Sequence, residues 1–179
     1  MKVQVIGHNG KGRGSSIIKW ATRGDYSHVS MRFQFESEEE LRRCRELFNF
    51  RLSRTKGVYT GPLTLDHELE SIQGVGVHHQ PFVPSDNQGW FDFEHDSHQA
   101  VGILGTASKL VGCDYDWRGI GGFATRRNTQ NSEKWFCSEY ASHCLLHNRI
   151  VALKMPCHWQ TPNVFLASPI FNKVRSPIT

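Results

Sequence analysis

The segment 27–35 constrains the fold of this chain more than any other stretch. It alternates strictly between polar and apolar residues, which is the pattern of a β-strand with one face against a core. The apolar side carries Val29, Met31, Phe33 and Phe35, and the polar side carries His28, Ser30, Arg32 and Gln34. Such a strand needs a sheet that packs against other elements, because its apolar face must be buried.

The same kind of periodicity predicts further strands and helices. The strands are expected at 2–6, 58–65, 68–72 and 75–79, of which the last two read as a hairpin around Gln73-Gly74. The helices are expected after the glycine-rich stretch 7–14, at 37–50 behind a capping box of Ser37 and Glu40, at 100–111 and at 137–148. The segment 84–98 is turn-rich and the tail after 148 is proline-rich, so both read mostly as loop. This order predicts an α+β fold with an antiparallel sheet packed against helices.

Length and composition favour one globular domain. The chain has 179 residues, of which 38% are hydrophobic and 21% charged. Its net charge of +4 is too small to indicate a nucleic-acid or membrane-surface partner. No stretch approaches the ~20 apolar residues of a membrane span, and the first apolar run is too short for a signal peptide. We therefore expect a protein that is cytoplasmic as synthesised, without stable membrane insertion; its oligomeric state is left open.

The cysteines exclude several classes of small protein. There are five of them, an odd number, and no two form a C-x-x-C pair. A zinc ribbon, a thioredoxin-like pair and a disulfide scaffold are therefore not expected. Cys44 and Cys144 fall on apolar helix faces and are interpreted as core residues, whereas Cys113 and Cys157 have no assigned chemistry.

Cys137 is the candidate reactive thiol, because it falls at the predicted start of a helix. Unpaired N–H groups and a partial positive charge at a helix N-terminus stabilise a thiolate and can also stabilise an oxyanion. His28, on the polar face of its strand, suits a general base for this cysteine. Glu70, on a later strand, is the natural candidate for the group that orients the imidazole.

Two other kinds of motif fall short of a site. Gly7 and Gly12 have the spacing of a phosphate-binding loop, but Arg13-Gly14 stand where lysine and Ser/Thr are required. His95-x-x-His98 and His78-His79 lack the further ligands that would complete a metal site. We therefore predict no metal and no cofactor, and keep an anion-binding protein that uses the loop 7–14 as an alternative.

Three segments in a particular order resemble one family. They are Tyr26-Ser27-His28-Val29-Ser30-Met31, then Glu70-Ser71-Ile72-Gln73-Gly74-Val75, then Phe136-Cys137-Ser138-Glu139-Tyr140. Together with Gly112-Cys113-Asp114-Tyr115-Asp116-Trp117 and Thr161-Pro162-Asn163, they resemble the circularly permuted, NlpC-type papain-like cysteine peptidases of the YiiX-like group. His28 precedes Cys137 by 109 residues (137 − 28), as the permuted order requires.

The resemblance implies a papain-like fold in a single domain, 1–179, with a helical insertion at about 37–57 that the family lacks. It implies that Cys137 is the nucleophile, His28 the base and Glu70 the orienting residue. Tyr115, Tyr26 and Ser138 are implied to line the substrate site. Because of the insertion, the identity of the orienting residue stays open between Glu70 and four alternatives, which are Glu68, His67, His78 and His79.

The activity implied is that of a thiol hydrolase acting on an amide bond in a peptide or peptidoglycan-like substrate. Three alternatives remain: a thiol acyltransferase or lipid-amide hydrolase, an inactive papain-fold binding module, and the anion-binding protein named above. A peptidoglycan enzyme without a leader would need delivery or release by phage or by a secretion system.

Overall fold

The computed structural model describes residues 1–11, 15–16, 18–19, 24–52, 61–116 and 133–175. Two expectations lie largely outside these ranges, which are the helix after the glycine-rich stretch and the polar loop 119–134. The strand expected at 58–65 is wrong over its described part, because residues 61–65 are not in a strand and the next strand begins only at Asp66. Pro62 has no N–H to donate to a strand ladder, which disfavours a strand at this position.

Most of the described strands form one six-stranded antiparallel sheet. Its members in chain order are β1 (Lys2–His8), β2 (His28–Gln34), β3 (Asp66–Ile72), β4 (Gly76–Pro81), β5 (Gln88–Asp92) and β8 (Asn172–Arg175). Their spatial order is β4-β3-β2-β1-β5-β8. A small parallel pair, β6 (Asp114–Tyr115) and β7 (Lys134–Trp135), lies beside it. The predicted α+β class with an antiparallel sheet is therefore confirmed.

The register of the three strands β1, β2 and β3 aligns their polar side chains. His8 pairs with His28 across β1 and β2, and Ser30 pairs with Glu70 across β2 and β3. Directly opposed residues of an antiparallel sheet point to the same side. The polar face predicted for the segment 27–35 therefore continues across three strands.

The helices are α1 (Glu38–Leu52), α2 (Ser97–Lys109), α3 (Cys137–His147) and the short α4 (Pro162–Leu166). Ser37 begins α1 as predicted, because its hydroxyl accepts a hydrogen bond from the Glu40 amide at 3.2 Å. Asp96 and Gln99 form the capping box that begins α2, which the sequence analysis did not identify. α4 has two typical features of a helix start: Thr161 is its N-cap, and Pro162 lies in its first turn.

The core lies between the apolar face of the sheet and the helices. Val29, Met31 and Phe33 of β2 are fully buried, and α3 packs against β2 and β3. Cys44 and Cys144 are buried in this core, as predicted, and burial raises the pKa of both thiols.

The structure differs from the sequence prediction at β5, α4 and β8, which lie in segments that read as loop. β5 has weak local strand signals because Gln88-Gly89 is typical of a turn. Its pairing with β1 is set by contacts that are distant in the chain, with Gly89 lying against the ring of Tyr26. A Cβ atom at residue 89 would clash with the Tyr26 ring, because it would lie closer to the hydroxyl oxygen and to Cζ than van der Waals contact allows.

We expect Gly89→Ala to lower the free energy of unfolding by about 1–3 kcal/mol, because a new methyl group in this packed contact must displace the Tyr26 ring. Gly105→Ala, in α2, is the control, since its Cβ would approach only the Phe48 ring at 3.2 Å and alanine favours a helix. Urea unfolding of both variants measures the difference. A Gly89→Ala variant as stable as Gly105→Ala would contradict this packing argument.

Candidate active site

Cys137 is the first residue of α3 and is buried. The preceding residue, Phe136, is extended and has no side chain that could cap the helix. The Phe136 side chain therefore does not cap the N–H groups of the first turn. These groups point toward the N-terminal end of α3, where Cys137 lies. The chain enters the helix from β7, where the Ser71 hydroxyl donates a 2.6 Å hydrogen bond to the carbonyl of Trp135.

His28 and Glu70 contact each other across β2 and β3. The His28 Nε2 atom lies 2.5 Å from Glu70 Oε2. The imidazole is about one-fifth exposed, whereas the carboxylate is almost completely buried behind it. A carboxylate only accepts hydrogen bonds, so Nε2 carries the hydrogen and Nδ1 is the ring nitrogen left to face another group.

That other group is Cys137. Burial by itself would lower the pKa of His28, but its hydrogen bond and charge interaction with Cys137, together with those of Glu70, raise the pKa well above 6.5. The structure thus brings the predicted nucleophile, base and carboxylate into one contiguous chain of contacts. A raised imidazole pKa favours the thiolate–imidazolium pair, which is the reactive form of such a cysteine.

Glu70 remains ionised in this arrangement. Burial would raise its pKa, but contacts with His28 and His78 hold the pKa far below 4.5. His78 Nε2 lies 3.2 Å from Glu70 Oε1, and the Gln80 side-chain amide donates to the same oxygen at 3.0 Å. Both carboxylate oxygens therefore have partners, and the side chain is fixed toward His28.

The four alternative orienting residues lie elsewhere or contact Glu70 rather than His28. Glu68 accepts a very short hydrogen bond from the Ser30 hydroxyl. His67 and His79 bond to each other, Nε2 to Nδ1 at 2.9 Å, and both are fully buried. Burial and the charges of His79 and Arg45 lower the pKa of His67 to about 3, so this ring is neutral. Among the five candidates, Glu70 has the contact with His28 that the orienting role requires.

Tyr115, predicted to line the substrate site, lies in β6, close enough to Cys137 for the charges of the two side chains to interact. Burial, the charge of Cys137 and the charge of Asp116 raise the pKa of its phenol well above the usual range. The phenol therefore keeps its hydrogen at neutral pH.

Tyr26 and Ser138, also predicted to bind substrate, have side chains that are engaged with the protein. The Tyr26 ring is buried and meets Phe91 edge-on, with centroids 5.6 Å apart. The Ser138 hydroxyl is fully buried and donates to the carbonyl of Gln160 at 2.6 Å. A substrate role for their side chains stays a prediction, and the Ser138 backbone N–H lies in the first turn of α3.

Asn163 is a positioning residue that the sequence analysis did not assign. Its side chain accepts from the Tyr26 amide at 2.9 Å and donates to the Tyr26 carbonyl at 2.7 Å. This pair of bonds fixes the backbone two residues before His28, where β2 begins. The segment Thr161-Pro162-Asn163 was among the motifs of the sequence, but a contact between residues 137 positions apart could not be read from the chain.

Parts of the glycine-rich loop are also tied down. Lys19 Nζ donates to Asn9 Oδ1 and to the Gly10 carbonyl, both at 2.8 Å. Gly10 N–H donates to the Ser27 hydroxyl at 3.2 Å. Lys19 therefore ties down Asn9 and Gly10, and the bond between Gly10 and Ser27 joins this part of the loop to the start of β2.

The comparisons with known proteins support the fold. No family model matches the sequence, and no curated protein matches it. A crystal structure described as metalloprotein yiiX from Escherichia coli O157:H7 is similar, with a TM-score of 0.60 and 14% sequence identity. The similarity covers 98% of this chain and 97% of that one. The chain therefore shares an α+β fold with this structure, which is consistent with a papain-like arrangement. No helix among the described residues is long and apolar enough to cross a membrane.

The raised pKa of His28 predicts an unusual pH profile for alkylation of Cys137. Below its raised folded-state pKa the His28 imidazole keeps its positive charge, and a positive charge beside a thiol favours the reactive thiolate, whereas an ordinary thiol with a pKa of about 8.5 is mostly protonated at neutral pH. We expect the iodoacetamide rate at Cys137 to change less than about threefold between about pH 8 and 6.

Cys157 serves as the internal control, because burial and the charge of Glu139 raise the pKa of its thiol. Its labelling should fall steeply over the same range, and mass spectrometry of the two peptides measures both rates. A parallel fall at Cys137 would contradict the ion pair.

Proposed function

We propose that this protein is a cysteine hydrolase that cleaves an amide bond through Cys137, His28 and Glu70. The observation that carries the proposal is the contact chain from a thiol at a helix N-terminus, through the imidazole, to a buried ionised carboxylate. Three groups with these roles are what covalent acyl transfer requires. Similarity to the yiiX structure supports the fold on which this arrangement rests.

The reaction has two steps on these residues. The Cys137 thiolate attacks the amide carbon, and N–H groups at the start of α3 stabilise the resulting oxyanion. His28, protonated in the ion pair, donates its proton to the leaving nitrogen as the C–N bond breaks, leaving an acyl-enzyme. The neutral imidazole then takes a proton from water, and the hydroxide attacks the thioester carbon. The C–S bond breaks, the carboxylic acid is released, and the Cys137 thiolate and the His28 imidazolium are restored.

Glu70 supports both steps without touching the substrate. Its hydrogen bond keeps Nε2 protonated, so that Nδ1 always faces the thiol. Its negative charge stabilises the imidazolium that forms when Cys137 is ionised. A peptide or peptidoglycan-like amide as substrate rests on the family resemblance alone.

Cys137→Ala and His28→Ala should each abolish amide hydrolysis, because the first removes the nucleophile and the second its proton acceptor. Each variant should retain about a thousandth or less of the wild-type activity, as is usual when an enzyme loses its nucleophile or its general base. Hydrolysis of a pooled peptide and muropeptide library, followed by mass spectrometry, measures the loss.

The matched control for this test is Cys157→Ala, since Cys157 contacts Ser142 rather than the triad. Circular dichroism establishes that each variant is folded. Hydrolysis at wild-type rate by folded His28→Ala would overturn the mechanism.

The two buried glutamates of β3 allow a matched test of the orienting residue. Glu70→Gln should slow iodoacetamide labelling of Cys137 by at least about tenfold, because glutamine cannot stabilise the imidazolium. Glu68→Gln, two residues away on the same face, should slow it less, since Glu68 bonds to Ser30 and not to His28. If Glu68→Gln has the larger effect, the assignment of Glu70 is wrong.

The description of the yiiX structure as a metalloprotein raises the question of a metal in this site. His8, His28 and Glu70 offer donor atoms within 4.8 Å of one another, and imidazole and carboxylate suit zinc. However, two ligand atoms of one tetrahedral zinc ion lie roughly 3.3 Å apart, as bond lengths of about 2.0 Å require. The His28–Glu70 distance of 2.5 Å fits a hydrogen bond instead, so the present arrangement does not fit a zinc site. Labelling and hydrolysis assays should nevertheless contain EDTA.

A further inference from the structure

A second histidine–glutamate unit lies beside the triad and is not used by the mechanism above. His8 Nε2 lies 2.8 Å from the Ser30 hydroxyl and 3.4 Å from Glu68 Oε1. The Ser30 hydroxyl in turn donates to Glu68. The His8 and His28 rings neighbour each other, with centroids 5.1 Å apart.

These contacts determine which nitrogen of His8 carries hydrogen. The carboxylate of Glu68 can only accept, so the single hydroxyl hydrogen of Ser30 is committed to it. The Ser30 oxygen must then accept from His8, which places the hydrogen on Nε2. In the neutral imidazole, Nδ1 is left as a hydrogen-bond acceptor.

The unit therefore repeats the arrangement of His28 and Glu70. In both, a buried glutamate of β3 fixes the Nε2–H side of a histidine ring, directly for His28 on the neighbouring strand β2 and through the Ser30 hydroxyl for His8 on β1. The two side chains are also similarly exposed, 19% for His8 and 20% for His28. For His28 the Nδ1 partner is Cys137, whereas no described residue forms a hydrogen bond with Nδ1 of His8.

The charges around His8 favour a positively charged partner. The groups facing it are the Ser30 hydroxyl, the Glu68 and Glu70 carboxylates and the His28 ring. Two buried carboxylates, Glu68 and Glu70, stand against the single imidazolium of His28, whose pKa is raised, so these groups leave the region negative. An acceptor nitrogen in a negative region is suited to an ammonium group.

Building on the proposed function, we infer that His8 binds a protonated primary amine of the substrate, close to the amide that Cys137 attacks. Glu68 fixes the acceptor through Ser30 and supplies the charge. The recognised amine is either the α-amine of a peptide or a side-chain amine, which share this chemistry.

The experiment uses thiol reagents that differ only in charge. The Cys137 thiolate attacks the sulfenyl sulfur of an alkyl methanethiosulfonate, forms a mixed disulfide and releases methanesulfinate. The rate at Cys137 is measured by mass spectrometry, at neutral pH in EDTA, for the aminoethyl (cationic), sulfonatoethyl (anionic) and methyl (neutral) reagents. The readout is the ratio of the cationic to the anionic rate.

We expect this ratio to exceed that at Cys157 in the wild type. The ratio should fall by at least about fivefold in both variants, because His8→Gln removes the acceptor nitrogen and Glu68→Gln removes a nearby negative charge. His98→Gln replaces an exposed histidine and is the matched control, so the ratio should not change.

An unchanged ratio in His8→Gln, with Cys137 still labelled, would overturn the role of His8 alone. No labelling of Cys137 by any reagent would overturn the proposed function, and the substrate class with it.

Protection of Cys137 from the neutral reagent distinguishes the two sources of amine. Slower labelling with glycinamide indicates an α-amine, slower labelling with butylamine indicates a side-chain amine, and either supports the inference. N-acetylglycinamide should not protect. Equal protection by glycinamide and its acetylated form would contradict recognition of an ammonium group.

Discussion

The register of β1, β2 and β3 is the constraint on which the candidate site depends. It places His8, His28 and Ser30 on the same face of the sheet as Glu68 and Glu70 of β3, with Ser30 directly opposite Glu70. A slip of one residue in β3 would turn Glu70 to the core face and bring Leu69 or Ser71 to its present position. The contact between His28 and Glu70 therefore exists only because the apolar residues between them are held in the core.

Burying this polar face costs free energy, and its charged side chains Arg32, Glu68 and Glu70 each have polar or ionic partners. Arg32 forms a bidentate pair with Asp66, at 2.8 and 2.5 Å, and stacks on the rings of Phe82 and Trp90. Glu68 and Glu70 are each approached by a histidine and by hydrogen-bond donors. Since unpaired buried charges would be strongly destabilising, the same pairs that fix the imidazoles also keep the sheet stable. Chemistry and stability thus use one set of contacts.

Local patterns were sufficient for elements with strong periodicity. The alternation in β2, the hairpin of β3 and β4 and the helix that begins at Cys137 could each be read from the chain. β5 and β8 could not, because their strand conformation comes from pairing with segments far away in sequence. Asn163 was likewise invisible as a positioning residue, since its two bonds to Tyr26 join opposite ends of the chain.

The sequence by itself determined the chemical groups: a cysteine at a helix start, a histidine on the polar face of a strand, and several acidic or imidazole side chains that could orient it. Helix termini and strand faces are local properties, so they can be recognised in one chain. Only the tertiary structure showed which orienting candidate contacts His28, because Glu68 and Glu70 share one face of β3 and differ in the side chains that they meet on β2. It also placed His8 beside His28, since strand pairing, and not spacing along the chain, determines which side chains meet.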